Sequence, residues 1–272
     1  MPVSERQLAE FADKHAWRIP FDTSPRHLAG PGDARHVTHG LAAVGWSRIS
    51  DPLSAEMVLT SPDHRYSLQF DPQSATSAWW RLRAEATDTE PHWYAEFTEL
   101  VPAEVLGSVT DALVAPPRAE QPDPWHVLSA AGWPPDAQGK AHSPDTLCHV
   151  ERPINSLGTA SWLIETREQG YDHHAGPRIW HAWFDDRTPS RLVTAFVTAL
   201  ADTAPLQRGM YDRTAHYSAV QEPSPLTPQQ VVDAHTTRLD ALRFQARAAR
   251  RRQRPATTQP QAPPPTATPL RR

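Results

Sequence analysis

The feature that most constrains the fold of this chain is a segment that the sequence contains twice. HGLAAVGW occupies residues 39–46 and HVLSAAGW occupies residues 126–133, 87 positions later. The same spacing relates WYAEF at residues 93–97 to WHAWF at residues 180–184. Self-similarity at a fixed spacing is the signature of a tandem duplication, in which each copy forms the same structural unit. The sequence therefore predicts two units of one architecture.

The spacing between the two copies changes once along the chain. The tripeptide Ser-Pro-Asp at residues 61–63 recurs at residues 143–145, and Trp80 corresponds to Trp162, so these parts of the copies are 82 positions apart. The second copy therefore lacks five residues near its start and regains five later. The regained length falls in EQGYDHHAGPR at residues 168–178, which is typical of a longer loop before the last strand.

Each copy has the pattern of a helix, then antiparallel strands, then a closing helix. Gly45 and Gly132 are predicted to take the left-handed position just past a helix, which favours glycine because glycine has no Cβ. RYSLQF at residues 65–70 and WWRLRAE at residues 79–85 alternate apolar and polar side chains, as strands with one buried face do. The predicted fold class is α+β, with an antiparallel sheet of about four strands in each unit.

Two capping boxes indicate helices outside the repeated units. In SERQ at residues 4–7 and TPQQ at residues 227–230, a hydroxyl and a glutamine side chain each bond the other residue's backbone N–H. After Pro255 the chain is rich in proline and poor in apolar residues, so we predict a disordered tail. The predicted divisions are 1–23 for an N-terminal helix and lead-in, 24–116 for the first unit, 117–205 for a second, degenerate unit, 206–226 for a linker, 227–254 for a long basic C-terminal helix and 255–272 for the Pro-rich tail.

Three stretches of the first unit resemble the SPDY-domain family. They are SPRHLAGPGDARHVTHGLAAVGW at residues 24–46, LTSPDHRYSLQFDPQSATSAWWRL at residues 59–82 and HWYAEFTELVPAEVL at residues 92–106. This family, domain of unknown function 317, is found in streptomycete proteins, often as two copies per chain. The resemblance extends over roughly residues 24–205 and implies the two-unit architecture, but it implies no activity and no catalytic residue. The chain departs from the motif that names the family, because His64 and Thr146 stand where its tyrosine is expected.

Composition restricts the location and the chemistry of the protein. Cys148 is the only cysteine, so the chain cannot form an internal disulfide, and its default role is that of a small buried apolar residue. The first residues contain no apolar run of the secretory type, and no window approaches 18 consecutive apolar residues. We therefore expect a cytoplasmic protein that does not enter the membrane. Phosphate loops, dinucleotide fingerprints, GxSxG and HExxH are absent, so no cofactor and no catalytic residue are predicted.

The net charge of −4 conceals a strong asymmetry. After Asp240 the chain has eight arginines and no acidic residue, so the body carries about −12 and the tail +8. A basic arm of this kind can fold onto an acidic body or bind a polyanion. The candidate nucleic-acid contacts of the arm are Arg247, Arg250, Arg251, Arg252 and Arg254.

The outward side chains of the first unit form a candidate binding face of aromatic and basic residues. Aromatic rings and guanidinium groups offer planar surface that loses little entropy on binding. The second unit has Ser161, Leu163 and Glu165 where the first has Trp79, Arg81 and Arg83, so only the first unit keeps this character. Alternatively, the two outer faces pack against each other and bury Trp79 and Leu163. The candidate binding face consists of Trp79, Arg81, Arg83 and Tyr94.

Two clusters of polar residues are candidates for catalysis. Asp172, His173 and His174 in the longer loop, with His181 on the next strand, supply ligand types that zinc accepts, although adjacent histidines favour a solvated loop. His92, Tyr94 and Glu96 share one face of a strand and are interpreted as a polar sheet surface. Asp63 and Asp145 are interpreted as turn residues, since aspartate after proline stabilises a type I turn.

The leading hypothesis from the sequence is a non-enzymatic binding or assembly protein with an unknown protein partner. A degenerate repeat in which no polar cluster occurs in both units fits a scaffold better than a symmetric active site. The first alternative is nonspecific nucleic-acid binding through the Arg-rich arm. The second is a hydrolase or metal enzyme that uses His173, His174 and His181.

Overall fold

Two antiparallel sheets and six helices make up the fold in a computed structural model, which describes residues 3–74, 76, 78–116, 122–170 and 175–253. The helices are α1 (Glu5–Ala16), α2 (Arg35–Ala43), α3 (Ala103–Val114), α4 (Pro124–Ala130), α5 (Ser190–Ala201) and α6 (Pro228–Gln253), with a short 3-10 helix at Arg26–Leu28. The strands are β1 (Pro20–Ser24), β2 (Ser47–Arg48), β3 (Met57–Thr60), β4 (Tyr66–Phe70), β5 (Ala78–Ala84), β6 (Trp93–Thr98), β7 (Ala141–His142), β8 (Cys148–Glu151), β9 (Trp162–Arg167), β10 (Arg178–Phe184), β11 (Leu206–Gly209) and β12 (Val220–Pro223). The predicted α+β class is confirmed.

The two units share one nine-stranded sheet. Its strand order is β2-β3-β4-β5-β6-β10-β9-β8-β7, so the last strand of the first unit pairs with the last strand of the second. The outer faces of the units therefore lie side by side, and the alternative in which they pack against each other is wrong. Pairing β6 with β10 removes one exposed edge from each unit, which satisfies backbone groups that an isolated unit would leave open.

The pairing of β6 with β10 places a local two-fold axis at the centre of the sheet. Glu96 lies opposite Trp183, and these residues are 87 positions apart, so each occupies the equivalent position in its own unit. The closing helices repeat this relation, because the Ser108 hydroxyl donates to the Ala195 carbonyl at 3.0 Å. Residues 108 and 195 are also 87 positions apart. The duplicated sequence is thus folded as a two-fold symmetric pair.

The core lies between the sheet and the helices α3 and α5. The predicted inward residues Trp80, Leu82 and Ala84 are buried, in agreement with the alternating pattern of β5. Phe97 and Phe184 meet edge to face across the joined strands with ring centroids 5.3 Å apart. One hydrophobic core therefore runs through both units.

The helix ends that the repeated motif predicts are present in both copies. Gly45 and Gly132 have φ angles of 100° and 83°, in the left-handed region. The backbone N–H of the following Trp46 reaches the Leu41 carbonyl at 3.1 Å, and that of Trp133 makes the equivalent bond. These contacts satisfy carbonyls that the last helical turn leaves free.

Residues 206–226, expected to be a linker, contain two strands. β11 and β12 flank β1 on either side in a three-stranded sheet of order β11-β1-β12. Arg208 on β11 is buried, and its guanidinium donates to the Glu104 carboxylate of α3 and to the carbonyls of Ala29 and Gly30. The segment is ordered by these tertiary contacts, which its own polar sequence does not reveal.

The C-terminal helix α6 docks on the body and does not form a detached arm. It begins with the predicted capping box, in which Thr227 and Gln230 exchange hydrogen bonds of 2.8 and 3.2 Å. It lies against α1 and α2, with Leu239 and Leu242 buried. The predicted tail 255–272 lies outside the described residues. Among the described residues, no helix is long and apolar enough to cross a lipid bilayer.

Candidate binding face of the sheet

The residues predicted for the binding face come together on the side of the large sheet opposite the core. Arg83 pairs with Tyr94 across β5 and β6, and Arg81 pairs with Glu96. Trp79 lies at an irregularity where the register between these strands shifts. We call this surface the outer face, and it consists of Trp79, Arg81, Arg83, Tyr94, Glu96, His181 and Trp183.

The outer face is partly accessible, and the helices α3 and α5 pack on the other side of the sheet. Among the described residues, α6 contacts α1 and α2, α2 contacts α3, α3 contacts α5, and α5 contacts α4. The inward side chains of the sheet belong to the same core as α3 and α5. On the outer face, Arg83 is exposed, while Trp79, Arg81 and Tyr94 are half-buried.

A group of planar side chains surrounds the local two-fold axis. The Tyr94 ring lies 5.9 Å from the Trp183 ring between centroids, and the Arg83 guanidinium carbon is 5.3 Å from the Tyr94 centroid. The Tyr94 hydroxyl donates to Glu96 at 2.9 Å. Burial, and then the hydrogen bond to Glu96, raise the pKa of Tyr94 above its ordinary value. The tyrosine therefore stays protonated and keeps its donor role.

His181 extends this network across the boundary between the units. Its Nε2 is 3.5 Å from Glu96 Oε1, while its Nδ1 is buried and has no partner among the described residues. Burial, and then the nearby Arg178, lower the pKa of His181. His92 is exposed and takes no part in this network. Tyr94, Glu96 and His181 thus form a hydrogen-bonded group of polar side chains at the centre of the outer face.

The structure does not place most of the predicted histidine cluster. Asp172, His173 and His174 lie outside the described residues, and only His181 of that proposal can be located. Within the part of the chain that the structure describes, no three His, Cys, Asp or Glu side chains are arranged to hold a metal ion. Asp63 and Asp145 both accept a hydrogen bond from the serine two residues earlier, as expected for turn residues.

The second unit contributes a different surface on its side of the axis. Glu165, the counterpart of Arg83, is buried and accepts from Arg167 at 2.8 Å and from Arg178 at 2.9 Å. His149 lies 3.4 Å away on the neighbouring strand. Burial opposes ionisation, but these hydrogen bonds prevail and hold the pKa of Glu165 well below its ordinary value. The second half of the face is thus an internally paired ion network.

Trp183 is the member of the outer face that the sequence did not single out. Its signal was available, because Trp183 stands 87 positions after Glu96 and belongs to the repeated motif. Two equivalent positions face each other only when the units pair through that strand, and the sequence left this pairing open.

The basic residues of α6 have different surroundings. Arg247 and Arg251 are exposed. Arg250 donates to the Val44 carbonyl at 3.1 Å, so it binds the end of α2. The side chain of Arg252, and the whole of Arg254, lie outside the described residues. Of the three candidate nucleic-acid contacts whose side chains the structure describes, Arg250 is therefore engaged with the body.

Comparison with known proteins identifies the family and nothing closer. The chain matches SPDY, a domain of unknown function (DUF317), at residues 60–127 and again at residues 142–206. The predicted membership and the two tandem copies are confirmed. No curated protein and no solved structure matches the chain.

Proposed function

We propose that this chain, which contains two tandem SPDY domains, is a non-enzymatic binding protein whose outer face contacts a protein partner. The observation that carries this proposal is the group of planar side chains at the two-fold axis. Arg83, Tyr94 and Trp183 stand on paired strands of a sheet whose other face is a packed core. Trp79, on the same strand as Arg83, packs on Phe70 and against that core. Binding energy in protein interfaces is concentrated in Trp, Tyr and Arg side chains held in this way.

The charge pattern of the outer face favours a protein over a nucleic acid. Arg81 lies opposite Glu96 in the strand pairing, and its guanidinium bonds the Thr76 hydroxyl at 2.6 Å. Glu165 is paired with Arg167 and Arg178. A polyanion is attracted by a surface of uniformly positive charge, whereas a mixed surface suits a partner with complementary charges of both signs.

The proposal is tested by reversing one charge on the face. Full-length protein is used to capture partners from native cells, with nuclease added to remove nucleic acid, and the recovered partner is purified for direct affinity measurement. We expect Arg83→Glu to weaken this binding about tenfold or more, because the substitution replaces an exposed arginine within the planar group.

The matched control makes the same chemical change on another exposed arginine. Arg247→Glu lies on α6, away from the outer face, and should leave the affinity unchanged. Equal affinity of Arg83→Glu and wild type would refute the proposed face. Loss of binding in Arg247→Glu alone would transfer the function to the C-terminal helix.

A second candidate function is nonspecific nucleic-acid binding through α6, which the exposure of Arg247 and Arg251 favours. If five or six phosphates are neutralised, the logarithm of affinity falls with the logarithm of salt concentration with a slope of about −5. Replacement of Arg250, Arg251, Arg252 and Arg254 by Gln should abolish the binding. Fluorescence anisotropy with a duplex DNA at low salt measures it, and absence of binding by wild type removes this candidate.

A further inference from the structure

A cleft at the far side of the second unit is separate from the outer face. Its volume is about 620 Å³, within the range of small-molecule sites. Several parts of the chain form it: residues 24–27 from the end of β1, the ends of α4 and α5, the second Ser-Pro-Asp turn, Gln169, and residues 216–220 at the start of β12. Its walls are largely apolar, with Trp133, Leu147 and Leu200 among the lining residues.

A buried histidine and a carboxylate meet in this cleft. His27 Nε2 lies 2.8 Å from Asp145 Oδ2, and the His27 side chain is only 2% exposed. Nδ1 of His27 is also buried and has no hydrogen-bond partner among the described residues. A buried polar atom without a protein partner is costly, so it favours a polar ligand atom or water at this end of the cleft. The Asp145 side chain is 33% exposed and remains accessible from the cleft.

The charges of the cleft favour a cation. Asp202 contributes a second carboxylate at the end of α5 and is half-exposed. The cleft also contains Arg26, but its guanidinium is engaged by Asp202 at 2.8 Å and by the carbonyls of Ala199 and Ala204. The lining thus carries two carboxylates against one guanidinium. Asp145 accepts from the Ser143 hydroxyl and the Leu147 N–H and faces His27, but among the described residues no arginine or lysine pairs with it.

In the first unit, an arginine side chain occupies the position that is equivalent to one part of the cleft. Ala131 lines the cleft, and its counterpart 87 positions earlier is Val44. The Val44 carbonyl receives the guanidinium of Arg250, which comes from α6. In the first unit the chain thus places its own cation at the end of the helix, beside the Ser-Pro-Asp turn. In the second unit, no described residue of α6 lines the cleft.

We propose that this cleft binds a small organic cation, an ammonium or guanidinium group carried on an apolar body. The cation lies between the carboxylates of Asp145 and Asp202, and the apolar body contacts Trp133 and Leu147. His27 Nδ1 supplies a further polar contact at the buried end. This site is independent of the outer face, so either proposal can fail without the other.

The test uses full-length protein and a matched set of probes. 2-Phenylethylamine and benzylguanidine carry the cation on an aromatic body, and 3-phenylpropionate has a similar body with the opposite charge. Isothermal titration calorimetry at pH 7.5 measures affinity, and the NMR signal of the Trp133 indole N–H locates the site. We expect both cations to bind and to shift this signal, and the anion to do neither.

Substitution of the carboxylates decides whether the site is the proposed one. Asp145→Asn should weaken binding of the cations about tenfold or more, because it removes a charged acceptor. Asp63→Asn is the control, since Asp63 occupies the same turn in the first unit without a histidine partner. Asp202→Asn provides a second loss of charge at a half-exposed position if Asp145→Asn fails to fold. Equal binding of 3-phenylpropionate, equal affinities of the Asp145 and Asp63 variants, or no binding of either cation at millimolar concentration overturns the proposal.

Discussion

At the scale of single residues, a slot for one arginine determines where α6 docks. The Arg238 guanidinium bonds Asp111 at 2.6 and 2.8 Å and donates to the His36 carbonyl at 2.7 Å. It lies against Gly40 and Gly107, where an added Cβ would come within 3.2 and 3.1 Å of its Nη2. Two residues without side chains therefore make room for the guanidinium.

The second unit has no such slot. The positions 87 residues after Gly40, Gly107 and Asp111 are occupied by Val127, Thr194 and Thr198. Two of these side chains would fill the space of the guanidinium, and the third lacks the carboxylate. The duplicated units therefore offer α6 one docking site and not two.

We predict that Arg238→Gln lowers the free energy of unfolding by about 1–3 kcal/mol, because charged hydrogen bonds to Asp111 and to a helix carbonyl are lost. Arg238→Lys should recover only part of this loss, since an ammonium cannot reproduce the planar contact. Arg247→Gln, at an exposed position of the same helix, should change stability by no more than about 0.5 kcal/mol. Urea unfolding measures the stability of all three variants. Equal stability of Arg238→Gln and Arg247→Gln would contradict the stabilising role of Arg238.

Residue patterns predicted local features better than distant contacts. The inward positions Trp80 and Leu82 follow from the alternation of the strand, and Gly45 follows from the backbone conformation that only glycine adopts easily. Arg238 had no comparable signal, because its carboxylate partner lies 127 positions away. Trp183 had a signal in the repeated motif, but its place beside Tyr94 follows only from the pairing of β6 with β10, which the sequence left open.

At the scale of elements, α6 shows both the strength and the limit of sequence periodicity. Its capping box and apolar stripe predicted a helix of the observed length. His235, which interrupts the apolar stripe, stacks on Phe11 of α1 with centroids 4.1 Å apart. Periodicity identifies a face that needs a partner, whereas the partner here comes from the opposite end of the chain.

Four histidines gather where α6 meets α1 and α2. His39 Nδ1 lies 3.2 Å from His235 Nε2, so one proton joins the two rings, and His15 and His36 are close by. Burial lowers the pKa of His15 and of His39 to about 4 and that of His235 to about 2, and it lowers the pKa of His36 as well. The surrounding charged groups are Glu10, Lys14 and Arg18 on or beside α1, Asp33 and Arg35 at the start of α2, Glu104 on α3, Arg208 on β11 and Arg238 on α6.

We predict that α6 becomes less firmly docked as pH falls from about 6.5 to about 4. The histidines are neutral when docked, and an undocked helix lets them bind protons at their ordinary pKa near 6.5. The stabilisation is therefore complete above pH 6.5 and is lost below it, by up to about 1.4 kcal/mol per pH unit for each histidine. Hydrogen exchange of the α6 amides as a function of pH measures this effect.

Two histidine variants separate this cluster from ordinary acid destabilisation. His235→Phe removes one titrating group but keeps an aromatic ring against Phe11, so the pH dependence should become shallower. His126→Phe, at an exposed position of α4, should leave it unchanged. Identical pH profiles for wild type and His235→Phe would show that the cluster does not govern docking.

At the scale of the whole molecule, the duplication produced one folding body with two-fold symmetry. The sequence predicted two units from the spacing of 87 residues, but it could not decide between one sheet and two. β6 and β10 carry the same inward pattern, and this pattern is satisfied by any arrangement that covers their apolar faces. The units form one sheet because β6 pairs with β10 and α3 packs against α5, and both are tertiary contacts.

We predict that the chain unfolds in a single cooperative transition in spite of its two domains. Phe97 of the first unit contacts Phe184 and Phe196 of the second, with centroids 5.3 and 5.8 Å apart, so neither half keeps its core alone. Phe184→Ala should cost about 3–5 kcal/mol and should lower the melting temperature of both halves equally, because the cavity lies in the common core. Ile154→Ala, at an exposed position, should have little effect. Calorimetry combined with hydrogen exchange in each unit measures this coupling. Two resolved transitions, or a Phe184→Ala variant in which only the second unit melts early, would mean that the shared sheet joins two independently stable domains.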